Sequence, residues 1–212
     1  MTGAAFLLLA MALVVAVGDW VAVAQENKPL EYLCKPLTMV ALIATAMALD
    51  VDGADVRTWF VAALVLCLLG DVFLMLPSDR FVLGLASFLL GHVAYIVGMH
   101  VDGVVLTRFG LGVLLVVVAM ALIGRPIVAA VRAGPEPDLT VPVIAYMGVI
   151  SLMVASAIGT GHALAVAGAA SFYASDALIA WNRFVRGTAH AGVAIMVTYH
   201  LAQMGLVLSL AS

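Results

Sequence analysis

The sequence predicts an all-α, polytopic membrane protein with eight transmembrane helices. Three observations carry that prediction. Of the 212 residues, 66% are hydrophobic and 10% are charged, with a mean hydropathy of +1.22; soluble domains are roughly 45–50% apolar and about 25% charged. The apolar residues fall into runs of about 20, the length at which a helix crosses the hydrocarbon core. Short breaks marked by Pro, Gly and charge separate the runs. There is no room for a soluble domain beside the spans, so residues 1–212 read as a single transmembrane domain. With a net charge of −3 and no basic stripe, nothing points to a nucleic-acid partner. Cys34 and Cys67 both fall inside apolar runs, which argues against a disulfide framework.

The first run, 3–23, ends on Ala22-Val23-Ala24, a sequence like a signal-peptide cleavage site. Residues 1–10 carry no Lys or Arg, whereas a signal peptide normally starts basic, so the run reads as a retained span with Asp19 near its end. The second, 31–49, holds Lys35 one turn above Glu31, the i,i+4 spacing of an ion pair. The third, 58–76, contains Asp71, and the fourth, 81–99, contains His92 and Tyr95; the turn Pro77-Ser78-Asp79-Arg80 divides them. The fifth covers 104–124. Arg125 to Asp138, with Pro126, Pro135 and Pro137, reads as the longest loop. The sixth covers 139–158, the seventh, 162–182, carries Asp176, and the eighth, 189–210, carries Tyr199, His200 and Gln203.

Lys and Arg near the span ends set orientation. The side holding both termini has Arg57 and Arg108; the other has Lys28, Lys35, Arg80, Arg125, Arg132, Arg183 and Arg186. Two against seven places the termini outside the cytoplasm. An internal echo accompanies this pattern. Arg80-Phe81-Val82-Leu83-Gly84 matches Arg183-Phe184-Val185-Arg186-Gly187 at an offset of 103, and Asp71 and Asp176 lie 105 apart. Half the chain is 106 residues, so the echo suggests two parallel four-helix repeats, 1–106 and 107–212, with the two acids as counterparts.

Ionisable groups inside hydrocarbon are costly, which makes each a functional candidate. At a rise of about 1.5 Å per residue, Asp19, Glu31, Lys35, Asp71, Asp176, Asn182 and Arg183 occupy one layer, the cytoplasmic third, with His92, Tyr199, His200 and Gln203 deeper. This pattern predicts a polar cavity open to the cytoplasm and closed outward, with Asp71 and Asp176 facing each other across it. Each residue also has a structural reading. Asp71 and Asp176 would pair with Lys35 and Arg183 as ion pairs. Lys35 would snorkel to the interface. Arg80 and Arg183 would anchor headgroups. His92, on one face with Phe88 and Tyr95, would be an interhelical histidine, and Tyr199 and Gln203 interhelical glue. His200 points about 100° from Tyr199 and reads as packing. His100, His162 and His190 sit near span ends and receive no role. For zinc, Asp71, His92, Asp176 and His200 are the available ligands, but no paired-His spacing occurs and no metal or cofactor is expected. No G-x-S-x-G elbow is present, and Ser171 and Ser175 complete no catalytic set.

Several of these residues form motifs in a fixed order from the second span to the eighth. They are Lys35-Pro36-Leu37, Gly70-Asp71-x-Phe73-Leu74, and Phe81-x-x-Gly84-x-x-x-Phe88-x-x-Gly91-His92-x-x-Tyr95. Then follow Ser175-Asp176-x-x-Ile179-Ala180 with Arg183-Phe184, and Tyr199-x-x-Ala202-Gln203. Together they resemble the YhhN family, which includes the animal transmembrane-protein-86 lysoplasmalogenases. The resemblance implies eight helices, membrane residence and hydrolysis of the vinyl-ether bond of lysoplasmalogens, with Asp71 and Asp176 as the catalytic candidates.

The chemistry fits the residues independently. A vinyl ether hydrolyses by protonation at carbon, giving an oxocarbenium ion; water adds, and the hemiacetal collapses to an aldehyde and an alcohol. One carboxyl must be held protonated, and one carboxylate must stabilise the cation and activate water, a division that glycosidases also use. Lys35, His92, Tyr95, Arg183, Tyr199 and Gln203 are the candidate substrate-binding residues. The alkenyl chain would lie among apolar helices and the phosphate near Lys35 or Arg183. Partners are then a lysophospholipid and the lipids of a bacterial-type inner membrane, with the site facing the cytoplasm. The alternative is a small transporter or proton-coupled carrier using the same carboxylates; a third reading is a structural or assembly protein. A carrier requires ionisable groups reaching both faces, whereas here they stop at mid-membrane.

Overall fold

The computed structural model describes residues 2–51, 53–78, 80–189 and 191–211; Asp79 and His190 lie outside the described residues. The chain forms α1 (Gly3–Ala24), α2 (Lys28–Ala48), α3 (Ala54–Met75), α4 (Phe81–Asp102), α5 (Leu106–Ala119), α6 (Arg125–Ala133), α7 (Thr140–Thr160), α8 (Ala163–Ala180) and α9 (Ala191–Ser209). A π segment, Met120–Gly124, joins α5 to α6, another, Trp181–Val185, extends α8, and a 3-10 turn, Pro137–Leu139, leads into α7. Among the described residues eight spans are long and apolar enough to cross a bilayer, matching the eight predicted from sequence. The protein is an integral membrane protein.

One expectation is corrected. Arg125 to Ala133 is helical rather than part of a loop. Pro126 follows the π segment with no break in the helical backbone, so its missing N–H leaves a carbonyl of that segment without a helical donor. Ile127 and Val131, one turn apart, bury against Val143 and Met147 in a small satellite core, and that burial holds the segment helical. Its prolines and charges hide this in the sequence, and the π segment upstream resets the phase of the apolar face.

Sequential spans pack as hairpins, α1 on α2, α3 on α4, α5 on α7 and α8 on α9. Contacts of α2 with α3, α4 with α7, α7 with α8 and α9 with α1 close these into a ring. The fifth span stays outside, against α7, and within α5 only Gly112 and Val116 are buried. Lipid tails are as apolar as side chains, so close van der Waals fit rather than hydrophobicity holds such helices together. The fit is tight on both sides of the ring. A β-carbon at Gly91 of α4 would lie 2.9 Å from Cys67 Sγ on α3; one at Gly168 of α8 would lie 2.9 Å from the Ala202 carbonyl on α9. Asp71 and Asp176 each sit about one turn before the end of their helix, at the Lys- and Arg-rich end of the bundle.

Candidate active site

Asp71 is sealed inside the ring, 1% exposed. Lys35 on α2 approaches its Oδ1 at 3.1 Å, and the Tyr199 hydroxyl of α9 donates to its Oδ2 at 2.6 Å. The same hydroxyl lies 3.4 Å from Met39 Sδ. Lys35 is itself buried, so it does not snorkel, and its expected pairing with Glu31 does not form. Glu31 instead binds Lys28 at 2.7 Å. The reason is electrostatic: a buried ammonium needs a buried counter-charge, while Glu31 finds its cation at the rim. Pro36, which cannot donate a helical N–H, follows Lys35 inside α2.

Asp176 has different company. The Tyr146 hydroxyl of α7 donates to its Oδ2. His92 Nε2 approaches that same oxygen at 3.9 Å, within ion-pair range and longer than a hydrogen bond. His92 is fully buried, edge-on to Tyr146 at 5.3 Å and to Phe172 at 4.6 Å. The expected pairing of Asp176 with Arg183 does not occur. Arg183 turns to Glu136 at 3.1 Å and lies over the Phe81 ring at 4.0 Å. The π segment carries Arg183 past the end of α8, toward the rim.

An aromatic wall stands between the two acids. Tyr199, bonded to Asp71, packs on Phe172 at 5.4 Å and on Phe88 at 5.9 Å, and Phe172 in turn packs on His92 beside Asp176. Tyr95 and Gln203 form a pair of their own, the Tyr95 hydroxyl donating to Gln203 Oε1 at 2.6 Å. His200 is a packing residue: its Nδ1 accepts the Trp20 indole N–H at 3.0 Å. Ser175 donates to the Ile195 carbonyl at 3.1 Å and so ties α8 to α9. Asp19 is fully buried in α1, and among the described residues neither of its oxygens has a hydrogen-bond partner. His100 and His162 lie at the opposite end, against Ser156 and Asp102, each at 3.3 Å. Among the described residues no three His, Cys, Asp or Glu side chains converge as a metal site would require.

The space that remains is not the polar cavity expected. Lys35, Asp71 and Tyr199 close on one another, and the cleft beside Asp176 is apolar. It lies between α4, α6, α7 and α8 and is lined by residues such as Leu85, Phe88, Ile127, Ile150 and Phe184. Asp176 and Tyr146 line it; Asp71 does not. Arg80, Glu136 and Arg183 line a neighbouring recess that shares Phe81 with the cleft. One carboxyl thus presents to an apolar slot with a basic rim, an arrangement that fits protonation of a long-chain amphiphile. Tyr146 is the residue sequence reasoning missed. Its one signal was a phenol in an otherwise apolar span, since a buried tyrosine hydroxyl usually finds a partner.

The family model for YhhN proteins matches residues 30–210. The chain belongs to the YhhN family. Similar proteins include human "Lysoplasmalogenase TMEM86B", 34% identical over 152 residues, covering 69% of this chain and 61% of the relative. The pig protein of the same name is 30% identical over 177 residues, covering 84% and 74%. A "Lysoplasmalogenase" of Mycobacterium bovis is 31% identical over 186 residues, covering 79% and 65%. The chain therefore spans only 61% of the human relative's length. No solved structure matches it significantly. Among the elements, α1 alone lies wholly outside the residues matched to the YhhN family, so Asp19 and Trp20 stand apart from the family pattern.

Proposed function

We propose that this YhhN protein is a membrane hydrolase that cleaves the vinyl-ether bond of lysoplasmalogen-type lipids. The single observation that carries the reading is Asp176, hydrogen-bonded by Tyr146, presented to an apolar cleft with arginines in the neighbouring recess. The alkenyl chain lies in the cleft and the phosphate at Arg183 and Arg80. Asp176 delivers a proton to the vinyl carbon, and the oxocarbenium ion forms beside the carboxylate it leaves behind. That carboxylate then takes a proton from the attacking water, and the hemiacetal breaks to aldehyde and alcohol, with one water consumed. Asp71 is the second carboxylate. Paired with Lys35 at 3.1 Å behind the aromatic wall, it is the group assigned to stabilise the cation. His92 and Tyr199 hold that wall in register, and Tyr95 and Gln203 brace it from the deeper side. The site faces the cytoplasm of a bacterial-type inner membrane, since the Lys- and Arg-rich end carries the cleft.

The names of the relatives support this reading over a carrier. Purified protein incubated with lysoplasmalogen should release free aldehyde and the glycerophospho-headgroup in equal amounts, and should leave the corresponding acyl lysophospholipid intact. Absence of aldehyde from folded protein would overturn the proposal.

A further inference from the structure

A second groove lies on the outer side of α6, apart from the cleft. The helix separates two spaces. Its inward residue Ile127 lines the cleft, whereas Arg125, Val128, Ala129 and Arg132 line a groove on the other side, with Ile144 and Met147 of α7 opposite. Arg125 and Arg132 are seven residues apart, two turns, so both side chains leave the helix on one face about 10 Å apart. Both are exposed. Glu136, the acid nearest to Arg132 in the sequence, lies beyond the end of α6 and is bound to Arg183 at 3.1 Å. The groove therefore joins two guanidinium groups at the membrane rim to an apolar trough between helices. That is the complement of an amphiphile with an anionic phosphodiester head and acyl tails; basic pockets between spans at the cytoplasmic rim bind such headgroups.

We propose that the Arg125–Arg132 groove is a binding site for an anionic phospholipid of the bilayer, distinct from the substrate cleft. Guanidinium forks suit phosphate oxygens, and Val128, Ile144 and Met147 receive the tail. The site depends on no catalytic residue and stands whether or not the chain hydrolyses lysoplasmalogen. The test uses the full-length protein in neutral detergent, titrated with phosphatidylglycerol or with phosphatidylcholine and read by native mass spectrometry. Phosphatidylglycerol should bind with about 30-fold preference, the product of two basic contacts. The double variant Arg125→Gln/Arg132→Gln should lower its binding to the phosphatidylcholine level, and Arg57→Gln/Arg108→Gln at the opposite end should leave it unchanged. Ala129→Glu, which keeps both arginines and sets a carboxylate in the groove, should abolish the preference as well, and it serves as the test if the double variant does not fold. Equal binding of the two lipids, or retention of phosphatidylglycerol by the folded variants, would sink the proposal.

Discussion

Asp71 and Asp176 hold matching positions in the two halves of the sequence and lie in opposite surroundings. Asp71 is closed in by an ammonium and a phenol, and no cleft reaches it. Asp176 has a phenol but no cation, and it borders open apolar space. The difference originates in their neighbours. The second span supplies Lys35 to the first acid, while the arginine placed to serve the second is drawn off to Glu136. A buried carboxyl paired with a cation and sealed from open space is out of reach of a substrate, whereas one facing an apolar slot can exchange a proton with whatever enters. Two similar acids thereby become candidates for two different tasks.

The largest expected effect separates them directly. Asp176→Asn should lower turnover per folded molecule by about 10²–10⁴-fold, the usual contribution of a positioned acid–base group, with normal protein yield. Near wild-type specific activity in this variant would end the proton-transfer role of Asp176. Asp71→Asn should behave differently, because it strands Lys35 without a counter-charge. Breaking a buried pair costs about 3–5 kcal/mol, so folded protein should become scarce. Pairing Asp71→Leu with Lys35→Met should recover the fold while turnover stays low; a double variant as unstable as Asp71→Asn would show that packing, not charge, governs this region.

The smallest effect concerns the rim. Arg183→Gln should raise KM and leave kcat nearly unchanged, the pattern of an interaction made equally in ground and transition states. An equal fall in kcat instead would move Arg183 from headgroup binding into the chemistry.

Much of the architecture was legible in the sequence because it depends on length and hydropathy along one dimension. Eight apolar runs of bilayer length give eight spans, and short connections make sequential spans neighbours. An ionisable residue deep in such a run marks itself, which is how Asp71, Asp176, Lys35 and His92 were found. The resemblance to YhhN proteins came from the same residues in the same order.

Which side chains meet was not legible. Each helix's rotation about its own axis is fixed by packing against neighbours, and no spacing within one span reveals it. Sequence alone offered Glu31, the interface or Asp71 to Lys35, and Arg183 to Asp176; the bundle chose Asp71 for Lys35, and gave Tyr146 to Asp176 and Glu136 to Arg183. It also set Phe172, His92 and Tyr199 as a wall where an open polar cavity was expected. The sequence by itself determined which polar groups fall inside the apolar spans. Only the tertiary structure decided which of them neutralise one another and which one is left facing the cleft, because that depends on distances between helices far apart in the chain.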